Sequence, residues 1–134
     1  MPRSLGALAA LLLLLSASCE RRHEADARAM AARVLQGVLV YPRSGVVNVA
    51  AGTNAAQVDL SAPDSADRVA TWYRQVLRLN GWDLKSDAAG NAGAVTIYAE
   101  KGNRPLWITV SPNVGASGST VSLVGAEVQG DTIR

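Results

Sequence analysis

Residues 64–82, DSADRVATWYRQVLRLNGW, decide the fold. Val69, Trp72, Tyr73, Val76 and Leu77 recur at three- and four-residue spacings, the period of a helix that buries one face. Leu79 can extend that stripe, whereas Arg68, Thr71, Arg74 and Arg78 lie mostly outside it. Asp64 or Ser65, after Pro63, can accept hydrogen bonds from the free amides of the first turn. Asp64 and Asp67 also suit the positive end of the helix dipole. Asn80-Gly81 has the composition of a hairpin turn, but after about four helical turns Gly81 is expected as the left-handed C-terminal cap. Trp82 then starts a strand.

Working outward, segments 46–50, 57–61, 82–86, 94–100, 106–111 and 120–124 alternate or nearly alternate apolar and polar residues, the pattern of strands half-buried on a core. The order is therefore ββαββββ, with short glycine-bearing turns in its second half. This predicts an α+β domain, its main helix packed on one face of a mostly antiparallel sheet. The phrase Asp64-Ser65-x-x-x-Val69-x-x-Trp72-Tyr73-x-x-x-Leu77-x-x-x-Gly81-Trp82 resembles a pattern in small exported bacterial domains of unassigned function. With its flanking strands the resemblance runs over residues 57–100. Each of its positions is a cap, a core contact or a turn, so it implies a fold and no catalytic residue.

In AEKGNRPLW a two-residue turn at Gly102-Asn103 suits type II′ or I′ geometry, the forms that match strand twist. Lys101 then opposes Arg104, Ala99 opposes Leu106, Tyr98 opposes Trp107, Ile97 opposes Ile108 and Thr96 opposes Thr109. Ile97, Ala99, Leu106 and Ile108 take the side under the helix. Tyr98, Trp107, Thr96 and Thr109 take the other side and form the candidate binding face, since exposed aromatic residues are enriched where proteins meet partners. The same four residues also fit simple cross-strand stabilisation, or burial under an N-terminal helix. Pro105 cannot donate to a ladder and marks its strand as an edge.

The N-terminus has a different grammar. Arg3 and the terminal amine precede an apolar run over residues 5–15, then Ser16, Ala17, Ser18 and the only cysteine, Cys19. This is secretory signal architecture. As a helix the apolar run reaches about 16 Å, against the roughly 30 Å hydrocarbon core of a bilayer. Ser16-Ala17-Ser18-Cys19 resembles the lipobox of bacterial lipoproteins, with Ser16 where that box usually carries leucine. The resemblance implies diacylglyceryl attachment at Cys19, cleavage before it, and acylation of its amine. Membrane lipid is thereby the expected partner at Cys19, and two or more chains would make release slow. By the same family analogy Glu20, rather than aspartate, favours the outer membrane over the inner.

Residues 20–37 are rich in helix formers, with Ala27, Met30, Ala31, Val34 and Leu35 on one face and a helix end expected at Gly37. The chain thus divides into a signal peptide (1–18), a lipidated N-terminus and helical linker (19–44), a small α+β domain (45–128) and a tail (129–134). A net charge of +2 over 134 residues gives no strongly basic face for nucleic acid. The single histidine, His23, lies on the linker, and no His, Cys, Asp or Glu grouping shows metal-ligand spacing. No serine or carboxylate has a readable activating partner, so neither a catalytic residue nor a cofactor is assigned. The expected protein is a non-catalytic interaction or structural module of the cell envelope, anchored on the periplasmic side. It would hold another envelope protein or a cell-wall component. A small-ligand or lipid-binding lipoprotein is the second reading, and an envelope hydrolase the third.

Overall fold

The computed structural model describes residues 5–128, with side chains from residue 18 onward. The order is α1 (Leu5–Val34), β1 (Gly45–Ala51), β2 (Ala55–Ala62), α2 (Ala66–Leu79), β3 (Asp83–Ala89), β4 (Val95–Lys101), β5 (Arg104–Pro112) and β6 (Ser119–Ala126). A 3-10 turn, Asn91–Gly93, links β3 to β4. The strands form one six-stranded sheet in the order β1-β2-β6-β5-β4-β3, antiparallel at every neighbouring pair. The molecule is α+β, as its sequence predicts. Residues 1–4 of the leader, the side chains of Ser16 and Ala17, and the tail 129–134 lie outside the described residues.

Ser65 is the α2 N-cap, its Oγ accepting from the Arg68 amide, and Gly81 at φ 80° supplies the left-handed residue after the helix. From β2 the chain crosses the sheet along α2 to the far edge, β3. Three hairpins then bring it back, so that β6 slots against β2. This pairing joins the β1–β2 hairpin to the rest through eight residue pairs, from Ala55↔Ala126 to Ala62↔Ser119. Val69, Ala70, Tyr73 and Leu77 of α2 pack on Leu60, Ile97, Leu106, Ile108, Val110, Val121 and Leu123, all buried. Leu79 falls outside this layer, 76% exposed, because it has rotated past the sheet-facing stripe.

Both helices occupy the same side of the sheet. Ala31 and Val34 of α1 close a second buried cluster with Ala56, flanked by Val49 and Val58. Gly125 permits this approach: a Cβ there would sit 2.8 Å from Leu35 Cδ2 and 3.0 Å from the Val34 carbonyl oxygen. The helix is continuous from Leu5 and runs through Cys19 into the expected linker, but it stops at Val34 instead of reaching Gly37. Arg104 Nη2 donates to the Val34 carbonyl at 3.0 Å and the Gln36 carbonyl at 2.7 Å, satisfying acceptors that a longer helix would have used. The guanidinium also stands over the buried Trp82 ring, 5.4 Å from its centroid.

Pro105 does not mark an edge. β5 lies between β4 and β6 in the interior of the sheet, and Pro105 is buried. Its missing N–H is harmless there. In a two-residue hairpin closed by Lys101↔Arg104, the next pair, Glu100↔Pro105, exchanges no backbone hydrogen bonds. On the other side the β5–β6 ladder begins only at Leu106↔Gly125. The edges are β1 and β3, each interrupted by a bulge.

The segment between α1 and β1 crosses to α2 and is pinned by Tyr41. Its amide donates to the Tyr73 hydroxyl at 3.2 Å, and its own hydroxyl donates to Asp64 Oδ2 at 2.5 Å. Trp72 meets both tyrosine rings edge-on, with centroids 5.2 and 4.8 Å away. Burial pushes the Tyr73 phenol up to about 12, with the Tyr41 amide a smaller opposing influence.

Two outcomes follow. Arg104→Ala frees the end of α1 and is expected to cost about 1–3 kcal/mol. Limited proteolysis between α1 and β1 should become faster, with a lower urea midpoint. Tyr73→Phe leaves the buried Tyr41 amide without its acceptor, again about 1–3 kcal/mol. Because the phenol ionises near its ordinary value of 10 in the unfolded chain and near 12 in the fold, the wild type loses stability as pH rises through that window. The variant should lose less there, as read by urea titrations at several alkaline pH values.

Candidate functional site: the open face of the sheet

With both helices on one side, the opposite face is bare among the described residues. Its composition follows from strand alternation. Ala56, Val58, Leu60 and Ala62 of β2 point to the helices, so Gln57, Asp59 and Ser61 point away. The registers align these residues into rows. Tyr98, Trp107, Val124 and Gln57 form one row across β4, β5, β6 and β2. Thr96, Thr109, Ser122, Asp59 and Asn48 form the next, reaching β1.

The β4–β5 register is the one its turn predicts, from Lys101↔Arg104 to Thr96↔Thr109. Gly102 has φ 60° and Asn103 is not among the positive-φ residues, which selects type II′ over I′. Counting from that turn, Tyr98↔Trp107 and Thr96↔Thr109 are both pairs without mutual backbone hydrogen bonds, where facing side chains come closest. The two rings stack with centroids 5.0 Å apart and planes 25° from parallel. The threonine hydroxyls lie 3.3 Å apart. Trp107 is 39% exposed, and Tyr98 is half-buried beside it. All four predicted face residues therefore sit together, away from α1, which covers the other side.

The carboxylates of this face are already engaged. The Tyr98 hydroxyl donates to Glu100 Oε1 at 2.5 Å, and that bond, with some burial, raises the phenol above its ordinary value. Asp59 accepts from Gln57 Nε2 at 2.8 Å and from Asn48 Nδ2 at 3.1 Å. Burial pushes its carboxyl up, but hydrogen bonds from Asn48, Gln57 and Ser122 outweigh this and hold it below 3.8. Sequence reading missed this network. The alternation of β1 and β2 is readable in the sequence, but the meeting of Asp59 with Asn48 and Ser122 depends on the β1–β2 and β2–β6 pairings, which have no local signature.

Cys19 is exposed on α1. His23 is exposed on the same helix. Among the described residues no group of three or more His, Cys, Asp and Glu side chains is placed to hold a metal ion. No helix among them is long and apolar enough to cross a membrane.

Asp59 gives an acid-side expectation. Its lowered value means that the unfolded chain takes up the proton first, so its contribution is present above about pH 4 and is lost as pH falls through the folded value. The stability difference between wild type and Asp59→Asn, measured by urea at neutral pH, should shrink below that point. A constant difference down to strong acid would contradict the network.

A family model described as START domain-like matches residues 43–127. The match takes in β1 to β6 with α2 and leaves α1 outside it. No curated protein and no solved structure matches the chain. The matched span is well over half of the 134 residues, and the chain belongs to the START domain-like family.

Proposed function

We propose that this chain is a non-catalytic lipoprotein of the bacterial cell envelope, which presents the open face of its sheet to another envelope component. The carrying observation is that face: a stacked, partly exposed aromatic pair set among hydroxyls and amides, on the side that neither helix covers. Lipid on Cys19 would anchor it, with the body on the periplasmic side and Glu20 favouring the outer membrane.

Geometry supports such a tether. Cys19 is exposed and lies twelve positions before Ala31, the first buried side chain of α1 among the described residues. At 1.5 Å per residue that is about 18 Å. Because α1 is docked through Val34 and Arg104, an anchor at Cys19 would be coupled to the sheet by a stiff rod. A guest between α2 and the sheet, as a small-ligand reading requires, would have to displace Tyr73, Ile97 and Ile108, each with no exposed surface.

Metabolic labelling with palmitate should mark the wild-type chain and leave Cys19→Ala unlabelled, the variant no longer sedimenting with membranes. A photo-crosslinker at position 107 should capture a cell-envelope component in cells, and one at position 74 on α2 should not. Labelling that persists without Cys19, or equal capture from both positions, would contradict this function.

A further inference from the structure

The open face has a chemistry that selects among envelope components. We infer that it binds a neutral glycan strand, laid across the strands with its sugar rings against Trp107. The inference rests on the function proposed above and names the ligand class of the same face.

Three features point to a polyhydroxylated polymer. First, the Tyr98–Trp107 stack is a single aromatic plate, and the rest of its row is one valine and one amide, Val124 and Gln57. That is little apolar surface for a protein interface, whose energetics rest on a cluster of desolvated anchors. It suits the apolar C–H face of a sugar ring, which needs one flat, amphipathic surface.

Second, the adjacent row offers neutral hydrogen-bonding groups at each strand: Thr96, Thr109, Ser122 and Asn48 around Asp59. Asp59 is committed to Asn48 and Gln57, and Glu100 to Tyr98. The ion pairs Arg33–Glu127, Arg43–Asp64, Arg68–Asp64 and Arg74–Asp87 each involve a helix or the segment leading into β1, whereas Lys85–Asp83 lies on the edge strand β3, with Lys85 near Tyr98 and Glu100. The face therefore carries hydroxyls and amides together with two carboxylates, Asp59 and Glu100, whose donors are uncharged, and one cation, Lys85, at its β3 edge, a balance that repels a polyanion and leaves a neutral ligand favoured.

Third, the shape is elongated. Three inter-strand steps from Tyr98 to Gln57 at about 4.8 Å make roughly 14 Å, the reach of a polymer segment more than of a single ring. Shallow hollows flank the row, one toward the β4–β5 turn and one at its β1 end. One of about 210 Å³ is lined by Tyr98, Glu100, Asn103 and Pro105, and one of about 220 Å³ by Ala50, Gln57 and Val124.

Trp107 is the most exposed of the three tryptophans: Trp82 is buried and Trp72 partly buried under Tyr41. Its emission therefore reports occupancy of the face. The test titrates the full chain, checked for fold by circular dichroism, with soluble oligomers of N-acetylglucosamine and of glucose. Fluorescence and calorimetry are the readouts, and purified cell-wall sacculi serve in a pull-down.

Saturable binding of either oligomer with a change in tryptophan emission is expected. Affinity should fall at least tenfold in Trp107→Ala, fall less in Trp107→Phe, which keeps a ring, and fall several-fold in Gln57→Ala, which leaves the aromatic pair untouched. Arg78→Ala on α2 should bind as the wild type does. Failure of both oligomers and of sacculi to bind, or binding indifferent to Trp107 and Gln57, overturns the inference. If the crosslinker at position 107 then captures a protein, the glycan is excluded while the proposed envelope function stands. If it captures nothing, both fall.

Discussion

One-sided burial of the sheet is the constraint on which the rest of the structure depends. Val69, Tyr73 and Leu77 of α2 cover one end of a continuous apolar surface, and Ala31 and Val34 of α1 cover the other. A sheet strand must place successive side chains on opposite faces, so burying Ile97, Ala99, Leu106 and Ile108 obliges Thr96, Tyr98, Trp107 and Thr109 to face outward. The aromatic pair is thus exposed because its neighbours in sequence are the core. Moving β4 by a single residue against β5 would turn Thr96 and Tyr98 into the core and expose Ile97, which the hydrophobic layer forbids.

The position of α1 follows from the same surface. α2 is too short to cover six strands, and β6 leaves a gap at Gly125, where backbone can approach closely. Leu35 and the Val34 carbonyl fill it, and Arg104 fixes the helix end from the opposite hairpin. The helix joins the core at Ala31 and Val34 and continues as an unburied rod toward Cys19. A helix held at only one end of its length transmits position without adding much to the core.

Much of this was legible locally. The α2 stripe, its Ser65 and Gly81 boundaries, and the register set by Gly102-Asn103 each arise from a few adjacent residues, where period and turn chemistry operate. The failures have a shared cause. Pro105 looks like an edge marker until the length of β6 is known, because whether a missing donor matters depends on what lies beside it. Leu79 extends the apolar run of α2, but the stripe that meets the sheet ends at Leu77 and Leu79 is rotated away from it. Gly125 carries no turn signature, since its role is to admit a helix some ninety positions earlier. Asp59 finds Asn48 and Ser122 only through two strand pairings. Local chemistry therefore located the aromatic half of the face, and long-range pairing supplied the polar half.

That division bears on how a face of this kind can work. Tyr98 and Trp107 belong to one hairpin and stack through contacts set by its own turn, so the plate is already assembled once β4 and β5 pair. The hydroxyl and amide row spans β4, β5, β6, β2 and β1, and it exists only when β6 has docked against β2. Apolar contact and polar orientation are thus built by different levels of the fold. Their alignment depends on the β2–β6 ladder, which also lies beneath the docking site of α1. Because α1 docks over Gly125 and the β2–β6 ladder aligns Gln57 and Ser122 with Trp107, the proposed anchor and the proposed binding face meet on opposite sides of the same pair of strands.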